Sequence, residues 1–99
     1  MAQKFVIPHS RPTLDESDLF SVSEVIRSGR IVQGEVVEKF EKKMAKFIGV
    51  HGAVATNTGT SALHLSLLAI GIKKGDNVAM PSFVCTALLN AVKYVGAQP

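Results

Sequence analysis

Residues Ala53 to Gly71 read A-V-A-T-N-T-G-T-S-A-L-H-L-S-L-L-A-I-G: a short apolar run, a polar turn, then an apolar segment that ends at a glycine. Ala53, Val54 and Ala55 suit a brief buried strand, and Thr56 to Gly59 are turn residues. Thr60 or Ser61 is a natural N-cap for a helix filled by Ala62, Leu63, Leu65, Leu67, Leu68 and Ile70. Gly71 supplies the left-handed residue that stops it. A strand, a tight turn and a hydroxyl-rich helix start leave backbone N–H groups unpaired where the peptide dipoles favour negative charge. Such a junction can hold a phosphate, or it can be a plain capped crossover helix. The helix is apolar almost all round, which predicts burial between layers.

Sharper phosphate motifs are missing. The dinucleotide fingerprint needs three glycines where only Gly59 stands, and Thr60 occupies the place of the P-loop lysine. A phosphate here would be held by amides and hydroxyls.

With 99 residues, 46% of them hydrophobic, the chain is one domain at most. The single Cys85 excludes an internal disulfide and fits a reducing, cytoplasmic compartment, and its simplest role is that of a small buried hydrophobe. No secretory leader is read in M-A-Q-K-F-V-I-P, and no stretch is long enough to span a membrane. The net charge of +3 does not make a nucleic-acid surface. Lys39, Lys42, Lys43 and Lys46 alternate with Glu35, Glu38 and Glu41 at helical spacing, as on a solvated face. His9 and His51 have no partner at ligand spacing, so no metal site is read. His64 lies within the apolar helix as a hydrogen-bonded structural residue.

In chain order, Phe5, Val6 and Ile7 are expected to lie against something apolar before Pro8. Thr13 and Glu16 form a candidate capping box for a first helix, in which Leu19, Val22, Val25 and Ile26 recur at helical spacing up to Gly29. The loop G-R-I-V-Q-G carries Arg30 beside exposed apolar residues. A second helix is predicted over Glu35 to Ile48, with Val37, Phe40, Met44 and Phe47 on one face and Gly49 at its end. Past the turn Ile72 to Asn77, Val78, Ala79 and Met80 form a second short strand, halted at Pro81. A helix from Ser82 to Gly96 follows, packing Leu88, Leu89, Val92 and Val95 inward, and Ala97 to Pro99 enter a third strand. Strand-helix repetition of this kind marks an α/β parallel sheet covered on both faces. Its ligands bind at the carboxyl ends of the strands, here Asn57 to Ser61 and Ser82 to Thr86.

The succession S-G-R-I-V-Q-G-E-V-V-E-K-F-E-K-K-M-A-K-F-I-G, A-V-A-T-N-T-G-T-S-A-L-H-L and G-I-K-K-G-D-N-V-A-M-P-S-F-V-C-T-A resembles the start of the DegT/StrS family of pyridoxal-phosphate-dependent sugar aminotransferases. Each piece is weak alone, and their order and spacing carry the resemblance. It implies a fold-type I transferase: residues 1–52 form an amino-terminal helical segment, and residues 53–99 the first two β-α units of a truncated, mostly parallel large domain. It also implies that the cofactor phosphate is held at Gly59, Thr60 and Ser61. The resemblance further implies that Phe83 stacks on the pyridine ring, with an ordinary core phenylalanine as the competing reading. The resemblance places Arg30 near the sugar-nucleotide site, in some members that of the partner subunit, with a solvated loop arginine as the competing reading. The family's implied partners are a nucleotide-linked keto sugar, glutamate as amino donor and a second subunit in a homodimer.

The family also needs a lysine that binds the cofactor covalently and an aspartate that pairs with the pyridine nitrogen. No lysine or acid of this chain stands in either context, so no catalytic residue is assigned within it, and the chain reads as the amino-terminal portion of a longer enzyme. By itself it is not expected to catalyse transamination. Two alternatives stay open: a sugar dehydratase of the same family, with a histidine in place of the lysine, and a non-catalytic phosphate-binding module. The resemblance further implies that the strands at Ala53 and Val78 are separated by later strands, although a direct pairing within the chain is sterically allowed.

Overall fold

The computed structural model describes Ile7 and residues 9–99. Among them are four helices: α1 (Glu16–Ser28), α2 (Glu35–Ile48), α3 (Gly59–Ala69) and α4 (Thr86–Tyr94). The chain divides into two compact units, Met1–Val36 and Val37–Pro99. The expected apolar setting of Phe5 and Val6 lies outside the described residues, whereas Ile7 is exposed.

In the first unit, α1 starts two residues later than Thr13 suggests, because Asp15 takes the cap. Asp15 Oδ1 accepts the N–H groups of Ser17 (2.8 Å) and Asp18 (3.3 Å), while Asp18 Oδ2 accepts the Asp15 N–H at 3.0 Å. The capping box is thus Asp15/Asp18 and not Thr13/Glu16. A carboxylate both accepts two amides and complements the positive end of the helix dipole, which a threonine hydroxyl cannot do. Hydrogen bonds from Ser17, its hydroxyl foremost, hold the Asp15 carboxyl below its ordinary value. Gly29, at φ 69°, closes the helix as its position predicts. Of the apolar stripe, only Val25 is half-buried, and Leu19, Val22 and Ile26 are exposed.

In the second unit, α2 has the predicted bounds, but its inward face is rotated. Ala45 is its buried residue and Val37, Glu41 and Met44 are half-buried, while Phe40 and Phe47 stand 54% and 87% exposed. The small side chain at 45 admits close approach of the backbone, and a phenylalanine at 40 or 47 would hold it off.

The two expected strands do not form a ladder with each other. A strand exists only against a partner, and the one bridge among the described residues is parallel, between Asn77 and Gln98. There Val78 N–H donates to Gln98 O and Gln98 N–H donates to Asp76 O, each at 2.8 Å. The third-strand entry at Ala97 to Pro99 therefore meets the second predicted strand at its first residues, with α4 as the crossover. Ala53 to Ala55 have no such neighbour.

The cap of α3 is Thr58, upstream of the expected Thr60 or Ser61. Thr58 is extended (φ −149°, ψ 153°) and its hydroxyl reaches the Ser61 N–H at 3.0 Å, so Gly59 becomes the first helical residue. At the other end, Ile72 N–H donates to Leu67 O past Gly71 at φ 82°, as a left-handed stop requires. α4 starts at Thr86 rather than Ser82. Ser82 has no acid or amide three residues on to complete a capping box, and Phe83, Val84 and Cys85 are weak helix formers. Cys85 caps α4 in extended conformation without a side-chain hydrogen bond, and it is exposed rather than buried.

Among the described residues, α3 and α4 are the one pair of helices that pack together. Ala91, Val92 and Ala97 are buried there, and full burial of a valine such as Val92 contributes about 1.5–3 kcal/mol. Leu88 and Val95 are half-buried, and Leu89 is exposed. α3 is not sandwiched between layers as its apolar sequence predicts: Leu63, Leu65 and Leu68 are exposed, and none of its residues is buried. One side of the pair opens into an apolar groove of about 260 Å³ lined by Leu63, Leu67, Ile70, Met80 and Leu88. No helix among the described residues is long and apolar enough to cross a membrane.

Candidate functional site

The turn before α3 is organised by its own side chains. Thr58 Oγ1 accepts the Ser61 N–H and donates to Ser61 Oγ at 2.9 Å. Ser61 Oγ donates in turn to Asn57 Oδ1 at 3.2 Å, and Thr56 Oγ1 donates to Thr58 O at 2.9 Å. Ala62 N–H donates to Thr58 O at 3.1 Å. Two amides of the first turn, those of Gly59 and Thr60, find no acceptor among the described residues.

Gly59 is not required by its own backbone, since its φ is not positive. Nor does packing require it, because a Cβ built there would meet no heavy atom within 4 Å. Its missing side chain leaves open space in the first turn of a helix whose Gly59 and Thr60 amides have no acceptor among the described residues. That combination suits a phosphate oxygen, which needs close approach to backbone and charge-assisted hydrogen bonds. The residues present therefore fit a phosphate group. Ser61 differs from the sequence expectation in one respect: its amide is already held by Thr58 Oγ1 and its hydroxyl proton by Asn57 Oδ1, which leaves the amides of Gly59 and Thr60 as the unpaired donors of the turn.

Phe83 is fully exposed in the bend before α4 and belongs to no core within this chain. Arg30 lies in the first unit. Its Nη1 pairs with Glu35 Oε1 at 3.1 Å in an exposed salt bridge, and its N–H donates to Ser28 Oγ. It borders a hollow of about 420 Å³ with Ser21, Glu24, Ser28, Val32 and Glu35. His64 makes an edge-on contact with Tyr94, ring centroids 5.5 Å apart, and its side chain has no hydrogen bond of the expected kind among the described residues. Among the described residues no group of His, Cys, Asp and Glu could hold a metal ion.

The profile of the DegT/DnrJ/EryC1/StrS aminotransferase family matches residues 12–99. The chain belongs to this family. A UDP-4-amino-4-deoxy-L-arabinose–oxoglutarate aminotransferase of Shewanella sediminis (strain HAW-EB3) is 35% identical over all 99 residues, which span 25% of that protein. A sugar aminotransferase structure from Streptococcus pneumoniae, described as putative and named Spr1654, superposes with a TM-score of 0.88 at 30% identity in its PLP form, over 96% of this chain and 24% of its own. The same protein is also solved in PMP and apo forms. NtdA from Bacillus subtilis, with bound cofactor PMP, gives a TM-score of 0.78 at 33% identity, over 98% of this chain and 25% of its own. The chain thus spans about a quarter of the relatives it matches. DegT/StrS proteins are pyridoxal-phosphate-dependent, and their fold-type I architecture is the one this chain shares.

The residue the sequence reading missed is Glu41. Its Oε1 accepts the Ala55 N–H at 2.8 Å, just upstream of the phosphate-fitting turn. The signal was present in F-E-K-K-M-A, where Glu41 and Ala45 share a helix face one turn apart, but the alternating charges of α2 made Glu41 look solvated.

Proposed function

We propose that this chain forms the cofactor-phosphate end of an aminotransferase that passes an amino group from glutamate to a nucleotide-linked keto sugar, acting as a cytoplasmic homodimer. The observation that carries the reading is the first turn of α3, where the amides of Gly59 and Thr60 have no acceptor among the described residues and a Cβ at Gly59 would meet no heavy atom within 4 Å. In this reading those amides hold the phosphate, the Ser61 hydroxyl joins them by turning from Asn57 Oδ1 to a phosphate oxygen, and the Thr58 cap holds the turn. Pyridoxal phosphate, when bound, supplies the electron sink that amino transfer requires. Phe83 covers one face of the ring, a role supported by its complete exposure in this chain. Arg30 meets the negative charge of the sugar nucleotide, supported by its place beside the hydroxyls of Ser21 and Ser28 in an open hollow. Similarity to sugar aminotransferases along the whole chain supports the substrate class.

The test is amino transfer by the full-length protein, with glutamate and a panel of nucleotide-linked keto sugars, with and without added pyridoxal phosphate. Cofactor-dependent formation of an amino sugar and oxoglutarate is expected. Loss of water from the sugar without amino transfer would move the assignment to a dehydratase. Binding of cofactor with neither reaction would leave a phosphate-binding module.

A further inference from the structure

We infer that Glu41 is a positioning residue for the phosphate-binding turn, acting through Ala55; the inference rests on the function proposed above. Glu41 Oε1 takes the Ala55 N–H at 2.8 Å across 14 residues of sequence. The other side-chain hydrogen bonds among the described residues stay within a few positions along the chain, the longest being Arg30 to Glu35. This bond is therefore the one side-chain tie that crosses between distant segments, and it falls on the segment that leads into Asn57, Thr58 and Gly59.

Among the described residues Ala53 to Ala55 have no ladder partner, and without Glu41 the partly buried Ala55 N–H would find no acceptor there, which is costly. α2 supplies the acceptor. Glu41 is half-buried on the same face as buried Ala45, and that small residue lets the helix approach closely enough for the carboxylate to reach a main-chain amide. The turn is then pinned at both ends, by Glu41 at Ala55 and by the Thr58 cap at Ser61. Free amides that must converge on one phosphate tolerate displacements of only about 0.5 Å, so slack at Ala55 is passed on to Gly59 and Thr60.

The experiment compares dissociation constants of pyridoxal 5′-phosphate and of pyridoxal, which lacks the phosphate, by titrating the cofactor-free full-length protein. Glu41→Asp keeps the charge but cannot reach Ala55, Glu41→Met keeps the bulk without an acceptor, and Glu41→Gln keeps an acceptor at the same reach. The Asp and Met variants are expected to lose about tenfold of the preference for the phosphorylated form, while Gln stays within about twofold of wild type. Melting temperatures of the cofactor-free proteins are recorded alongside. A preference retained by Asp and Met, whatever their melting temperature, overturns the inference and leaves Glu41 purely structural. Loss in Gln as large as in Met overturns the hydrogen-bond assignment. If Met does not fold, the contrast between Asp and Gln decides. A wild-type protein that does not prefer the phosphorylated form overturns the proposed phosphate site, and the inference with it.

Discussion

The starts of α3 and α4 follow the same sequence grammar, an apolar run, a small polar residue and a helix, yet they are built differently. At α3 the hydroxyls of Thr58 and Ser61 and the amide of Asn57 close a network on themselves and leave two main-chain amides free. At α4 the capping position is Cys85, no side chain among the described residues hydrogen-bonds the helix start, and Phe83 stands wholly in the open. One junction is preorganised by its own residues, and the other has no such side-chain network among the described residues. A ligand that must find a fixed geometry is better served by the first, since ordering is already complete before binding.

The contrast is broken most severely by Gly59→Ala. The new Cβ meets no protein atom and alanine favours helix, so the melting temperature should hold or rise. Affinity for pyridoxal 5′-phosphate in the full-length protein should nevertheless fall by tenfold or more, given about 1.5–3 kcal/mol for each hydrogen bond to a charged group. Unchanged affinity would mean that the open space is not where the phosphate sits.

Gly96→Ala reverses the pattern. Gly96 sits at φ 76°, and a Cβ there would lie 3.3 Å from the Lys74 Cβ. We expect a loss of about 1–2 kcal/mol from the left-handed backbone alone, read as a lower urea midpoint at unchanged slope, with cofactor affinity in the folded protein unaffected.

The caps themselves give a smaller pair of effects of opposite sign. Thr58→Ala removes the acceptor for the Ser61 amide and should cost about 1 kcal/mol, whereas Cys85→Asp supplies α4 with the cap it lacks and should gain about 0.5–1 kcal/mol. Denaturation followed by circular dichroism measures both, and equal losses would show that α4 is capped by other means.

Acid sharpens the comparison at the third helix start, that of α1, with the smallest effect. The Asp15 carboxyl is held below its ordinary value of 3.8 by the Ser17 hydroxyl and by the Ser17 and Asp18 amides. A depressed folded-state value means that Asp15 stabilises α1 above that ordinary value and loses the contribution as pH falls through its folded value. Helical signal should therefore drop slightly below pH 3.8 in wild type but not in Asp15→Asn. A drop of the same size in both would assign it to other carboxylates.

Much of this was legible in the residues because it is local. Gly29, Gly49 and Gly71 mark helix ends, and the 3.6-residue pattern of α2 gives its bounds, since capping and periodicity act over one or two turns. The helix start at Gly59, Thr60 and Ser61, on which the proposed phosphate site rests, was readable for the same reason. The identity of each cap was not, because Thr58 and Asp15 win over neighbouring hydroxyls only through the backbone angle that the turn adopts.

The sequence by itself therefore determined the helices, their glycine stops and the colinear motifs that carry the family. Tertiary structure alone decided which face of α2 turns inward, that Asn77 pairs with Gln98 while Ala53 to Ala55 have no ladder partner among the described residues, and that Glu41 binds Ala55. The physical reason is one of range. A helix satisfies its amides within its own few residues, whereas a strand amide or a half-buried carboxylate is satisfied only by a partner that folding brings from elsewhere in the chain.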